Sequence, residues 1–297
     1  MTTTEIRLGK WAEIHDYATK RFSGWVFRGH QKASWHLESS IERCCNRHQV
    51  PCSDRQRVET LMVREFRRTY HQYAQHVPAP ENALEWLALM QHHGAPTRML
   101  DFTYSVYVAA YFATEEAAAD DCSICAFDAP WLLTLSQAAF RKAGKDIKAV
   151  NGMLKRFEEG SEEVAARLFL RKPFDVGAVY PTNAFRLNER LRIQQGVFLL
   201  PGDISRSFED NFRSMGLDKD HCRKIIIPAS LVAEARRHLF VMGISRTSLF
   251  PGLDGYAKSL GVYGSAIEPP FEWDKYVADP KMKDAIRGLN RKGVRRK

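Results

Sequence analysis

One stretch restricts this chain more than any other: Gln91-His92-His93-Gly94-Ala95-Pro96-Thr97-Arg98-Met99-Leu100-Asp101-Phe102-Thr103. Before it, Leu84, Trp86, Leu87, Leu89 and Met90 give the spacing of a largely buried helix. Gly94 suits the left-handed conformation that ends a helix, and Pro96 prevents the helix from resuming. Leu100 and Phe102 then face one way and Asp101 and Thr103 the other, as on a strand. Thr103 or Ser105 can cap a second helix whose packing face is Val106, Ala109, Ala110, Phe112 and Ala113. Gln91, His92, His93, Thr97, Arg98, Asp101 and Thr103 are thus crowded onto a stiff corner between two apolar helices. The three-residue separation predicts an Arg98–Asp101 ion pair holding that corner.

Around the corner the pattern is mixed. Helices are expected near residues 11–20, 54–75, 230–242 and 249–260. Strands are expected at Trp25–Phe27, Ser123–Phe127, Val176–Tyr180, Gly196–Leu200 and Lys224–Ile227, with a short extended piece at Ser34–Leu37. Strands and helices do not alternate steadily, so the fold class is α+β: a mixed sheet core with surrounding helices. The expected organisation is an N-terminal helix in residues 1–20, a main domain over 21–268 with a helical insertion at about 130–170, and a basic tail over 269–297.

Charge matters here through its placement. The net charge is +9, and Lys281–Lys297 holds eight basic residues against one acid, +7 of that total. The body is close to balanced. The tail could serve nucleic acid or an acidic partner, or only solubility. No run of about 20 apolar residues offers a membrane span, and the first residues lack a secretory pattern, which points to the cytoplasm. Cys122-Ser-Ile-Cys125 has metal-knuckle spacing, but residues three apart on a strand face opposite ways. Cys45, His48 and Cys52 lack a fourth ligand. No metal is expected.

Three polar groups stand at ends of expected strands. Arg28 and Gly29 follow Trp25-Val26-Phe27, where a guanidinium beside a glycine suits a phosphate or carboxylate. An ordinary ion pair, with Glu65 as partner, is the alternative. The corner is the second group. Asn188-Glu189-Arg190 followed by Gln194-Gln195-Gly196-Val197-Phe198 is the third. His92 and His93 could do acid–base work. No nucleophile elbow, phosphate-binding loop or zinc-protease motif is present.

These residues carry a resemblance. Phe27-Arg28-Gly29 with Trp35 and Leu37, the corner, Ala110-Tyr111-Phe112-Ala113, and Asn188-Glu189-Arg190 with Gln194–Phe198 resemble the FRG domain, a family found in bacteria and phages. Ile225-Ile226-Ile227-Pro228 and Ser248–Gly255 also fit its ending, so the likeness spans about Gly24 to Leu260.

A second, looser resemblance is to ADP-ribosyltransferases of the arginine-serine-glutamate type. It implies an ADP-ribosyltransferase-like fold and NAD or another nucleotide as cofactor, without a metal. Its site would have Arg28, Thr103, Ser105 and Gln195 in the catalytic places, and Arg28, Gly29, Phe102, Tyr107 and Gln194 against the cofactor. The chain departs from that pattern at the last strand, where Gln194 and Gln195 stand instead of a glutamate and Glu189 lies early. Two readings follow: a transferase-like or degenerate enzyme that holds a nucleotide, or a non-catalytic binding module for nucleic acid or a protein partner assisted by the tail. A third makes the corner a fold element only.

Overall fold

The computed structural model describes residues 4–74, 77–78, 83–117, 120–143, 176–183, 189–216 and 218–261. The basic tail, Asn188 and most of the expected 130–170 insertion lie outside them. Two compact units are distinguished, Met1–Ala235 and Arg236–Lys297. The first holds the sheet. The second holds the end of helix α8 (Ala229–Val241), and the short helices α9 (Arg246–Leu249) and α10 (Leu253–Ser259). No helix among the described residues is long and apolar enough to cross a membrane.

Among the described residues seven strands form one sheet. They are β1 (Thr4–Arg7), β2 (Trp25–His30), β3 (Leu100–Thr103), β4 (Cys122–Asp128), β5 (Val179–Thr182), β6 (Gly196–Pro201) and β7 (Cys222–Ile227), in the order β1-β7-β4-β2-β3-β6-β5. The β1–β7 pair is parallel and every other pair antiparallel, so the sheet is mixed and the fold is α+β. In β4 Cys122–Phe127 are buried throughout, as is all of β6. Such strands are covered on both faces and read as apolar runs rather than alternations.

The α-helices described wholly within this unit are α1 (Ser40–Arg47), α2 (Arg55–Tyr70), α3 (Ala83–His92), α4 (Val106–Thr114), α5 (Ala129–Ala143), α6 (Glu189–Ile193) and α7 (Phe208–Ser214). One core cluster joins Leu87 and Met90 of α3 to Phe140, Tyr180, Phe198 and Leu200. Another joins Val26, Leu100, Phe102 and Phe127 to Leu132, Phe208 and Phe212, with the Phe127 and Phe212 rings stacked 4.7 Å apart. Helix α5 fills part of the expected insertion.

The corner forms as its sequence dictates. Gly94 has φ +81°, the Gly94 N–H donates to the Gln91 carbonyl, and the Ala95 N–H donates to Met90. That pairing closes the last turn of α3 and satisfies its free carbonyls. Beyond Pro96, Leu100 and Phe102 are buried while Asp101 is exposed. Ser105 caps α4 by accepting from the Val108 N–H at 3.3 Å.

Arg98 does not pair with Asp101. Its side chain is fully buried and reaches back to α2, where Nε donates to both Glu59 carboxylate oxygens at 3.0 and 2.8 Å. Nη2 bonds Glu59 too and donates to Gln56 Oε1 at 2.7 Å. The physical reason is direction: Arg98 precedes β3 and turns under α2, whereas Asp101 sits on the strand's open face. Thr97 ties the same corner to α1, since its N–H donates to Ser40 Oγ at 2.9 Å and its carbonyl accepts from the Ile41 N–H at 3.1 Å.

Candidate functional site

The site is a consequence of how β2 and β3 meet. β2 is in register with β4 along its whole length, from Trp25 opposite Asp128 to His30 opposite Ser123. With β3 it shares a single register pair, Phe27 with Thr103. The two strands part beyond that pair. A cavity of about 400 Å³ lies at the parting, with walls from β2, β3, α3, α4 and the α6–β6 turn.

Arg28 sits at the split. Contrary to the sequence expectation it is inside β2 rather than past its end, because neighbouring β4 continues the ladder through Gly29 and His30. Nη1 donates to the Asp101 carbonyl at 2.7 Å, so the side chain spans the gap that strand pairing leaves. Nε is buried and has no partner among the described residues. Burial pushes the guanidinium's pKa down, and the Asp101 carboxylate opposes that shift. Glu65 is not its partner; it pairs with Arg64 and Arg68 on the surface of α2.

Arg190 of α6, Gln91 and His92 of α3, Asp101, Gln194, Trp35 and Phe112 line the same cavity. Trp35 is 47% exposed, an unusual state for an indole and a ready face for a flat ring. Burial lowers the His92 pKa, with His93 and Arg190 adding to the shift.

Of the residues the sequence singles out, Arg28, Gly29, Phe102, Thr103 and Gln194 border the cavity, and Ser105, Tyr107 and Gln195 do not. Several of them have internal duties. The Thr103 hydroxyl donates to the Gln194 carbonyl at 2.7 Å and accepts from the Ser105 N–H at 3.0 Å. Ser105 is the α4 cap. The Phe102 ring packs edge-on against Phe127 in the core. Tyr107 lies with its hydroxyl 2.8 Å from His15 Nδ1. Gln195 has φ +49° and is exposed at the turn into β6, while Gln194 is buried toward the cavity. Gly29 serves α4: a Cβ there would stand 2.1 Å from the Ala109 carbonyl oxygen and 2.5 Å from the Ala113 nitrogen. Sequence reasoning gave no cavity role to Asp101 or Trp35. The polar position of Asp101 on an alternating strand was the available signal for the first.

Residues 23–122 match the family model of the FRG domain. The chain carries an FRG domain. The match takes in Arg28, Gly29, the corner, β3 and α4, and ends at the first residue of β4. The FRG segment therefore supplies the β2–β3 split, while Arg190 and Gln194 come from chain beyond it. No curated protein and no solved structure matches the chain.

Beside Arg28, His30 is 4% exposed and its pKa is pushed down to about 3, by burial first and then by the Arg28 charge. The fold therefore holds it neutral while the unfolded chain, with an ordinary histidine value near 6.5, takes up a proton. Between pH 6.5 and 3 the unfolded state binds more protons, so this group lowers stability as pH falls through that window. The slope approaches about 1.4 kcal/mol per pH unit. Urea melts from pH 7 to 4 should show a shallower acid loss for His30→Gln than for wild type. Parallel pH curves would count against it.

Proposed function

We propose that the FRG-domain cavity binds a phosphate-bearing ligand of the nucleotide class, with NAD as the first candidate. The observation that supports this best is Arg28: a cation at the wall of a cavity, anchored through one N–H to the Asp101 carbonyl, with its buried Nε unpartnered among the described residues. Buried polar groups nearly always have partners, and a guanidinium with free N–H groups is suited to a phosphate. Arg190 lines the same cavity from α6. Trp35 and Phe112 offer ring faces. A volume of about 400 Å³ is at the low end for small-molecule sites, enough for part of a dinucleotide.

NAD fits these residues through its pyrophosphate, which Arg28 and Arg190 would hold. When bound it would supply an activated glycosidic bond. The resemblance to ADP-ribosyltransferases stops short of transfer: β6 reads Gly-Val-Phe-Leu-Leu-Pro with no glutamate. Thr103 and Ser105 are engaged in holding the corner. The reading is therefore of binding, with the chemistry of a degenerate transferase-like pocket.

Titration calorimetry with NAD+ and ADP-ribose, with adenosine as the phosphate-free control, tests it. Arg28→Lys should keep the melting temperature, since an ammonium can still reach the Asp101 carbonyl. It should lose affinity on the order of tenfold or more, because lysine lacks the planar fork. Equal affinity in Arg28→Lys, or binding of adenosine as tight as ADP-ribose, would refute the reading.

A further inference from the structure

The cavity holds both signs of charge. Arg28 and Arg190 line it, and so does Asp101, exposed on β3. The Asp101 carboxylate is close enough to Arg28 to act on its ionisation, yet the guanidinium's hydrogen bond goes to the Asp101 backbone carbonyl. Among the described residues no hydrogen bond or ion pair engages this carboxylate. A merely structural acid would be expected to take the nearby guanidinium bidentately. Here the strand geometry fixes the backbone on Arg28 and leaves Asp101 exposed at the cavity wall.

A ligand with only negative charge would be drawn by the two arginines and repelled by Asp101. A ligand with separated charges satisfies both, its anion on Arg28 and its cation toward Asp101. We propose that Asp101 makes the cavity selective for a ligand that carries a positively charged ring as well as phosphate, which means the oxidised form of a nicotinamide dinucleotide over the reduced form. This rests on the nucleotide-binding reading above. The two redox forms have the same phosphates, riboses and adenine and differ chiefly in the charge and flatness of one ring, so their affinity ratio isolates the Asp101 contribution. The carboxylate is exposed, and the effect should be moderated by solvent and salt.

The experiment is titration of wild type and Asp101→Asn with NAD+, NADH and ADP-ribose at low and moderate salt. Wild type should favour NAD+ over NADH by roughly five- to tenfold at low salt. Asp101→Asn should bring the ratio close to one by weakening NAD+ alone, with ADP-ribose affinity not reduced. Asn keeps the backbone carbonyl that Arg28 uses, and Asp101→Ser serves if the amide disturbs the cavity. Equal NAD+ and NADH affinities in wild type, or a loss in Asp101→Asn shared by all three ligands, overturns the proposal. In those cases Arg28-dependent binding of ADP-ribose would still leave the nucleotide reading standing. Failure of wild type to bind any of the three overturns both.

Discussion

Glu59→Gln should destabilise the protein by about 3–5 kcal/mol, the loss expected when one member of a buried ion pair is removed and the other remains charged. Both side chains are 0% exposed, and Glu59 accepts from Arg98 through its side chain and also from the Arg98 backbone N–H at 3.2 Å. Glutamine can take one of these bonds but carries no charge to balance the buried guanidinium. Urea denaturation would show a large drop in midpoint with little change in m. Glu65→Gln is the control from the same helix. Its partners Arg64 and Arg68 are exposed, and no measurable change is expected. Replacing both buried partners with apolar residues, Glu59→Leu with Arg98→Met, should recover much of the loss. A Glu59→Gln protein that melts like wild type would show that the corner is not held through this pair.

The same pair shows where sequence reading stops. Gly94, Pro96 and the alternation from Leu100 to Thr103 are local signals, and helix end, turn and strand follow from them. The partner of Arg98 is not local. Glu59 is 39 residues away, and on α2 it reads as one more charge on a solvated face. Only the docking of α2 over the corner turns it inward. β1 shows the same limit. Four residues with alternating partial exposure become a strand because Arg223–Ile226 offers a parallel edge more than two hundred residues later.

The cavity was legible only in part. Arg28, the corner and the approach to β6 stand out by residue type. That β2 and β3 share one register pair, and so part around Arg28, is a property of register that residue identities do not carry. Two adjacent glutamines before Gly196 give no sign of which faces inward. The positive φ at Gln195 decides it, sending Gln195 out and leaving Gln194 at the wall.

Gly29→Ala should be the most damaging single-methyl change in the FRG segment. The position is not in the left-handed region, so backbone conformation does not demand glycine. Space does. The added carbon would meet the Ala109 carbonyl oxygen at 2.1 Å and the Ala113 nitrogen at 2.5 Å, both backbone atoms of α4. A flexible side chain could swing away, whereas a helix backbone can only move as a unit. Ala109, Ala110 and Ala113 leave it no slack, since each is 0% exposed. Overpacking typically costs about 1–3 kcal/mol and sometimes more, and a backbone clash belongs at or beyond the top of that range. Gly94→Ala is the contrasting case: nothing lies within 4 Å, and the cost is only that of a positive φ. A thermal melt comparing the two separates the roles within Phe27-Arg28-Gly29. If Gly29→Ala melts far below Gly94→Ala, the glycine exists so that α4 can close on β2, the fully packed phenylalanine anchors the core, and the arginine is the one of the three that grips the ligand. If Gly29→Ala folds normally and loses only nucleotide binding, the glycine belongs to the site and the close approach of α4 has been assigned the wrong purpose.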